Sequence, residues 1–95
     1  IFCSNDSSAV ACIRELKAAG IKIPEQVAIG GFNNEPISTV VEPNLTTINY
    51  PGQEMGEICA SILIRRLANP DNAELNRVVL RHQLIVRDSS RRKQE

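Results

Sequence analysis

The chain has 95 residues, 42% of them hydrophobic and 23% charged, with a formal net charge of +0. That length holds at most one small domain. The neutral balance excludes a grip on nucleic acid by this segment alone, because such affinity comes mainly from neutralising phosphates. No apolar run approaches the ~20 residues of a membrane span, and no secretory signal pattern is present. Three cysteines, Cys3, Cys12 and Cys59, leave one unpaired under any disulfide scheme, and none has metal-ligand spacing. They read as small buried hydrophobes in a reducing compartment, which places the protein in the cytoplasm.

In chain order, Ile1-Phe2-Cys3 reads as the middle of a strand, so the chain reads as a piece of something longer. Asp6 is expected to cap the first helix, with Ser4 and Asn5 as competitors. Ala9, Cys12, Ile13 and Leu16 form its apolar stripe at i, i+3, i+4 and i+7. Val10 falls off that stripe, Gly20 stands where a C-terminal cap is expected, and Pro24 prevents continuation. Val27 to Phe32 reads as a parallel strand covered on both faces, completing a right-handed βαβ unit. Residues 33–44, with Pro36 and Pro43, form a loop or irregular helix, and Thr46 to Tyr50 a short strand. Pro51 and Gly52 open a second helix with an apolar face of Met55, Ile58, Cys59, Ile62, Leu63 and Leu67. Gly56 lies near that face, where another backbone has room to approach. Asn69-Pro70-Asp71-Asn72 ends the helix. From Arg77 to Arg87 the alternation puts Val78, Leu80, His82, Leu84 and Val86 on one side of a final strand. Arg91-Arg92-Lys93 then leads a polar tail, residues 91–95. Two helices and about four short strands leave one sheet face poorly covered, so the segment is expected to need further chain or a partner to fold stably.

Little here suggests catalysis. His82 sits mid-strand as a structural histidine, the cysteines have no adjacent cation, and Gly30-Gly31 lacks the glycine spacing of a dinucleotide site. No metal or cofactor is implied. The strand ends are different, because ligands of α/β sheets bind at the carboxyl ends of strands. Asn5 follows the first strand and Asn33 follows Gly30-Gly31-Phe32. Each amide offers one acceptor and two donors, which suits hydroxyl-rich ligands. Asn5 reads equally as a helix cap, and Asn33 equally as a turn residue. Tyr50 adds a ring and a hydroxyl at the end of its strand, or simply packs.

Five stretches carry a resemblance to a known family. They are Ile1-Phe2-Cys3-Ser4-Asn5-Asp6, Ala18-Ala19-Gly20-Ile21-Lys22-Ile23-Pro24-Glu25-Gln26-Val27, Gly31-Phe32-Asn33-Asn34, Pro43-Asn44-Leu45-Thr46-Thr47-Ile48 and Leu84-Ile85-Val86-Arg87-Asp88-Ser89-Ser90. In order and in register, they resemble the LacI/GalR family of bacterial transcription regulators. The resemblance implies an α/β fold with a Rossmann-like parallel sheet of the periplasmic-binding-protein-like type I, of which this is the C-terminal part of the effector-binding domain. Residues 1–48 and about 77–90 would belong to the C-terminal subdomain, and about 49–76 would carry the crossover helix of the N-terminal one.

In such proteins two subdomains clasp a small-molecule effector, usually sugar-like, and a helix-turn-helix outside this segment reads operator DNA. Asn5 matches an effector-contacting asparagine. Asn33 stands where the family usually has an aspartate, and Tyr50 matches a crossover position, often glutamine, that faces the effector. The substitution at Asn33 leaves the ligand class open, since hydrogen bonds to charged groups contribute about 1.5–3 kcal/mol and neutral ones about 0.5–1.5. The family also forms homodimers through this subdomain, which implicates Val10, Ile13, Ile37, Val40 and Val41. Two rival readings are a periplasmic sugar-binding protein of a transporter and, without a reactive group to support it, a small α/β enzyme.

Overall fold

A computed structural model describes residues 1–71 and 77–93. Residues 72–76, including Asn72 of the expected helix stop and the end of the expected crossover, lie outside the described residues, as do Gln94 and Glu95 of the tail. The chain forms two compact units, one of residues 1–49 with 83–95 and one of residues 50–82.

In the first unit, helix α1 spans Asp6–Ala18. Its cap is Asn5 rather than Asp6: the Ser8 N–H donates to Asn5 Oδ1 at 2.8 Å. Asp6 is the first helical residue, where a carboxylate also suits the positive end of the helix dipole. The C-terminal end follows the expectation for Gly20, which adopts φ +78°. Its N–H donates to Lys17 O (3.0 Å), and the Ile21 N–H reaches back to Leu16 O (2.9 Å). This paired geometry closes the last turn around a left-handed residue, which glycine adopts without a Cβ penalty.

The stretches expected as strands run side by side but are mostly too short to count as regular strands. Phe2 pairs in parallel with Gly30, and Gly30 in parallel with Thr46. The bonds that join them include Cys3 N–H to Gly30 O (2.8 Å), Gly30 N–H to Ile1 O (2.9 Å) and Gly31 N–H to Thr46 O (2.8 Å). Strand β1 is Thr47–Asn49 and pairs antiparallel with β2, Gln83–Ile85, with Ile48 opposite Leu84. The long final strand expected over 77–87 is therefore confined to three residues, and its burial phase is reversed. Leu84 and Val86 are exposed while Ile85 is half-buried.

The core of this unit is Ala9, Ile13, Ile29 and Leu45, with Cys3, Cys12, Leu16, Ile23, Val27 and Val41 packed around it. The α1 stripe thus faces the sheet as its spacing requires. The face carrying Ile1 and Phe2 is open, at 61% and 67% exposure. A short 3₁₀ turn, Pro36–Thr39, packs against α1.

In the second unit, helix α2 spans Gly52–Ala68 and buries no residue fully. Met55, Ile58, Cys59 and Ile62 line an open hollow of about 310 Å³ together with Val78 and Leu80. Among the described residues, a Cβ on Gly56 would meet nothing within 4 Å, so none of their backbone makes the close approach expected there. His82 is exposed and lies just before the regular strand Gln83–Ile85 rather than in its middle.

The cysteines depart from expectation at one position: Cys59 is exposed, while Cys3 and Cys12 are half-buried, and all three are free thiols. Burial raises the Cys3 thiol pKa above its ordinary value, and the neighbouring Cys12 acts in the same direction. A raised pKa leaves less thiolate at any given pH, and thiolate is the reactive form. N-ethylmaleimide at neutral pH should therefore label Cys59 first and Cys3 last, with the order read by peptide mass spectrometry. Labelling of Cys3 at the Cys59 rate would contradict this packing.

Candidate functional site

The site begins with a carboxylate. Asp6 is completely buried, yet it lies on the first turn of α1. Its Oδ1 accepts from Thr47 Oγ1 (2.7 Å) and its Oδ2 from the Glu35 N–H (2.6 Å). One side chain thus joins the start of α1, the start of β1 and the turn after Gly30-Gly31-Phe32. Only glycine fits beneath it: a Cβ on Gly31 would collide with Asp6 Oδ1 and come within 3.0 Å of Leu45 Cδ2.

That turn has an unusual backbone. Asn33 has φ +111° and Asn34 φ +50°. Asparagine tolerates positive φ better than most residues, yet +111° lies beyond the ordinary left-handed well. Three successive N–H groups hold it. Asn33 donates to Ile48 O (2.9 Å), Asn34 to Thr47 Oγ1 (3.2 Å), and Glu35 to Asp6. The Asn34 side chain is occupied as well: its Oδ1 accepts from Arg87 at 3.1 Å, and its Nδ2 donates to Asn49 Oδ1 at 3.4 Å.

Asn5 and Asn33 are both half-buried and both flank this junction. Asn5 spends its Oδ1 on the helix cap, which leaves Nδ2 as the group it can offer. Asn33 spends its Nδ2 on Glu35 Oε1 (3.0 Å), which leaves Oδ1. Tyr50 opens the second unit, where its ring lies so close to Gly52 that a Cβ there would meet Cε2 at 3.2 Å.

The apolar residues expected at a dimer face divide. Val40 is 74% and Ile37 38% exposed, Val10 and Val41 are half-buried, and α1 and the 3₁₀ turn bring their surfaces together. Ile13 is a correction: it is 1% exposed in the core between Ala9 and Ile29, so its side chain is not on any outer face. It lies on the i+4 position of the buried stripe, and burial there outweighs its nearness to Val10 in sequence.

Sequence reasoning missed Asp6 as the hub and gave no role to Glu35, Arg87 or Ser89. An acid in a first helical turn signals a dipole partner, but nothing local signals contacts 29 and 41 residues away. Among the described residues, no cluster of three His, Cys, Asp or Glu side chains could hold a metal ion, and no helix is long and apolar enough to cross a membrane.

A family model described as a periplasmic binding protein-like domain matches residues 1–90. Over 92 residues the chain is 32% identical to the lactose operon repressor of Rhizobium radiobacter, covering 97% of this chain and 80% of that protein. The chain belongs to the LacI/GalR family of transcription regulators. It is also 34% identical over 89 residues to the HTH-type transcriptional regulator CelR of Thermobifida fusca, covering 94% of this chain and 26% of that one. With an uncharacterized HTH-type regulator of Bacillus subtilis, YvdE, it shares 36% over 88 residues, 93% of this chain and 28% of that one. The chain thus spans about a quarter of the length of these two regulators.

Among solved structures, a CelR–cellobiose complex superposes with TM-score 0.84 at 34% identity, over 94% of this chain and 27% of that one. A LacI family regulator from Enterococcus faecium with bound ribose gives 0.76 at 34%, over 94% and 33%. These matches establish the LacI-type, periplasmic-binding-protein-like α/β fold for this segment of the family's effector-binding domain.

Proposed function

We propose that this segment supplies one wall of the effector site and a dimer face of a cytoplasmic LacI/GalR-type regulator. In this reading a sugar-like effector biases domain closure, and a helix-turn-helix outside these residues converts that bias into operator affinity. Asn5 and Asn33 contact the effector. Tyr50 enters the proposal through its position in the family pattern. Residues 1–48 and about 77–90 form the C-terminal subdomain part, and about 49–76 the crossover. The exposed Ile37 and Val40, with Val10 and Val41 beside them, form the self-complementary patch of a two-fold homodimer. The segment itself performs no chemistry.

The observation that carries this reading is the Asp6 junction, which fixes Asn5 and Asn33 on one frame at the ends of neighbouring strand segments. The relatives' names favour the regulator over a transporter component, and the bound cellobiose and ribose of the two neighbours favour a sugar.

The test is a thermal-shift screen of the full-length regulator with cellobiose, ribose and related sugars, repeated on Asn5→Asp, Asn5→Ala and Asn33→Ala. Asn5→Ala should lower the unliganded melting point, since loss of such a cap costs about 0.5–2 kcal/mol. Asn5→Asp keeps an acceptor for the cap and removes the donor. It should therefore melt like the wild type yet lose most of the ligand-induced shift, as should Asn33→Ala. Equal ligand-induced shifts in all four proteins would mean that the asparagines serve only as cap and turn.

A further inference from the structure

Glu35 is the acid next to the candidate site whose role neither the sequence pattern nor the family reading supplies. Its carboxylate is shared between two elements. Oε1 accepts from Asn33 Nδ2 at 3.0 Å, and Oε2 accepts from Ser7 Oγ, on the first turn of α1, at 3.3 Å. Its own N–H is held by the buried Asp6. Its backbone is therefore pinned on one side, and its side chain bridges the helix start to the turn.

We infer that Glu35 is a positioning and specificity-determining residue of the effector site: it orients the Asn33 amide so that only a hydrogen-bond acceptor is left for the ligand. This rests on the effector-site reading above.

The chemistry fixes the direction. An ionised carboxylate only accepts, whereas an amide has a donor end and an acceptor end. Turning the Asn33 amide over would set Oδ1 against Oε1, two acceptors at hydrogen-bond distance. The Nδ2 end therefore faces Glu35, and Oδ1 is left for the ligand. The pinned N–H groups of residues 33–35 keep the backbone from relaxing this choice.

Two consequences follow. The first concerns the aspartate that the family usually places at this position. An aspartate at position 33 would put a second carboxylate against Glu35, and like charges at that separation repel. Asn33 and Glu35 are thus a matched pair, and the asparagine still presents an acceptor where an aspartate would. The second concerns the ligand. A group meeting Asn33 must donate, as a hydroxyl or an amine does, and it approaches with the Glu35 charge close behind. Neutral and amino sugars fit; uronates and sugar phosphates are disfavoured.

The experiment uses the full-length regulator with Asn33→Asp, Glu35→Gln and the double variant. Melting points give the ligand-free arm. Asn33→Asp should melt lower by about 2–4 °C, Glu35→Gln should change little, and the double variant should recover most of the loss. Independent, additive effects would overturn the pairing, because residues in contact are the ones that couple.

Calorimetric titration with glucose, glucosamine and glucuronate gives the second arm. Wild type should prefer the first two over glucuronate, and Glu35→Gln should narrow that preference about three- to tenfold, the scale of one polar contact. An unchanged ratio would overturn the selective role even if the pair couples in stability. Coupled melting points with no sugar bound by the wild type would overturn the ligand selection and the sugar reading together, leaving the Glu35–Asn33 contact intact.

Discussion

Replacing Asp6 by alanine should destabilise the regulator that carries this segment by about 3–6 kcal/mol, because two hydrogen bonds to a buried charged group are lost at about 1.5–3 kcal/mol each. The carboxylate is completely buried and accepts from both Thr47 Oγ1 and the Glu35 N–H. Truncation leaves that N–H facing a void, and a main-chain donor cannot be turned away. Asp6→Asn separates the terms. Its oxygen can take the Glu35 N–H while its Nδ2 faces Thr47, whose hydroxyl oxygen reverses role and accepts. The asparagine should therefore cost only about 1–2 kcal/mol, the range of ordinary neutral hydrogen bonds. Urea midpoints at constant slope read both numbers. An alanine variant within ~0.5 kcal/mol of wild type, the scatter of neutral surface substitutions, would mean that the junction is not held by Asp6.

The effect should also reach function. Asp6 fixes the N–H of Glu35, and Glu35 holds Asn33, so the same substitution loosens the proposed effector contact without touching it. Asp6→Asn, which keeps an acceptor for the Glu35 N–H, should bind sugar nearly as the wild type does, whereas Asp6→Ala should bind it more weakly.

The distribution of what was legible follows from the range of the interactions. The α1 stripe, its Gly20 terminus, the 3₁₀-containing loop and α2 rest on contacts within a turn or two, and the residues that specify them are adjacent in sequence. The capping residue was ambiguous because Asn5 and Asp6 are both good caps. The structure separates them by burial: Asp6 is drawn inward by partners in the 33–35 turn and in β1, and the cap passes to Asn5. The last strand failed for a different reason. Alternation from Val78 to Val86 fits two burial phases equally well, and a one-residue slip exchanges them. The phase was set by pairing Ile85 with Thr47, a partner 38 residues away. Ile13 shows the same limit, since nearness to Val10 says nothing about which face of the helix meets the sheet. Of the proposed site, the two asparagines stand out in the sequence as amides at strand ends, but each reads equally well as a cap or turn residue, and Asn5 does cap α1. The acid beside Asn33 was not legible, because Glu35 looks like an ordinary surface charge until the fold sets it against Asn33 and Ser7.

Ser89 illustrates this most sharply, and its removal is the second large effect expected. It is fully buried, and its hydroxyl donates to Ile29 O (2.6 Å) while accepting from the Thr46 N–H (2.8 Å). Its backbone adds Ile29 N–H to Ser89 O (3.0 Å) and Ser89 N–H to Asn44 O (2.9 Å). One residue thus stitches together the two segments that end in Asn33 and in β1. Next to it, the Arg87 guanidinium donates to Ser38 Oγ, Leu45 O and Asn34 Oδ1 at 2.8–3.1 Å, closing the loop between them. Ser89→Ala would leave a buried carbonyl and a buried N–H without their partner, at about 1–3 kcal/mol each, so a loss of about 2–6 kcal/mol is expected. Ser90→Ala is the comparison. Ser90 is half-buried and meets Thr46 Oγ1, which keeps its bonds to the Arg87 backbone, so its loss should cost under ~1 kcal/mol, the lower part of the range for a neutral hydrogen bond. Hydrogen exchange gives the discriminating readout. In Ser89→Ala the Ile29 and Thr46 amides should lose protection before the helix α1 amides do, because local opening follows the weakest seam. Uniform loss of protection across the unit would instead mean that the serine contributes to global stability without acting as the latch between these two segments.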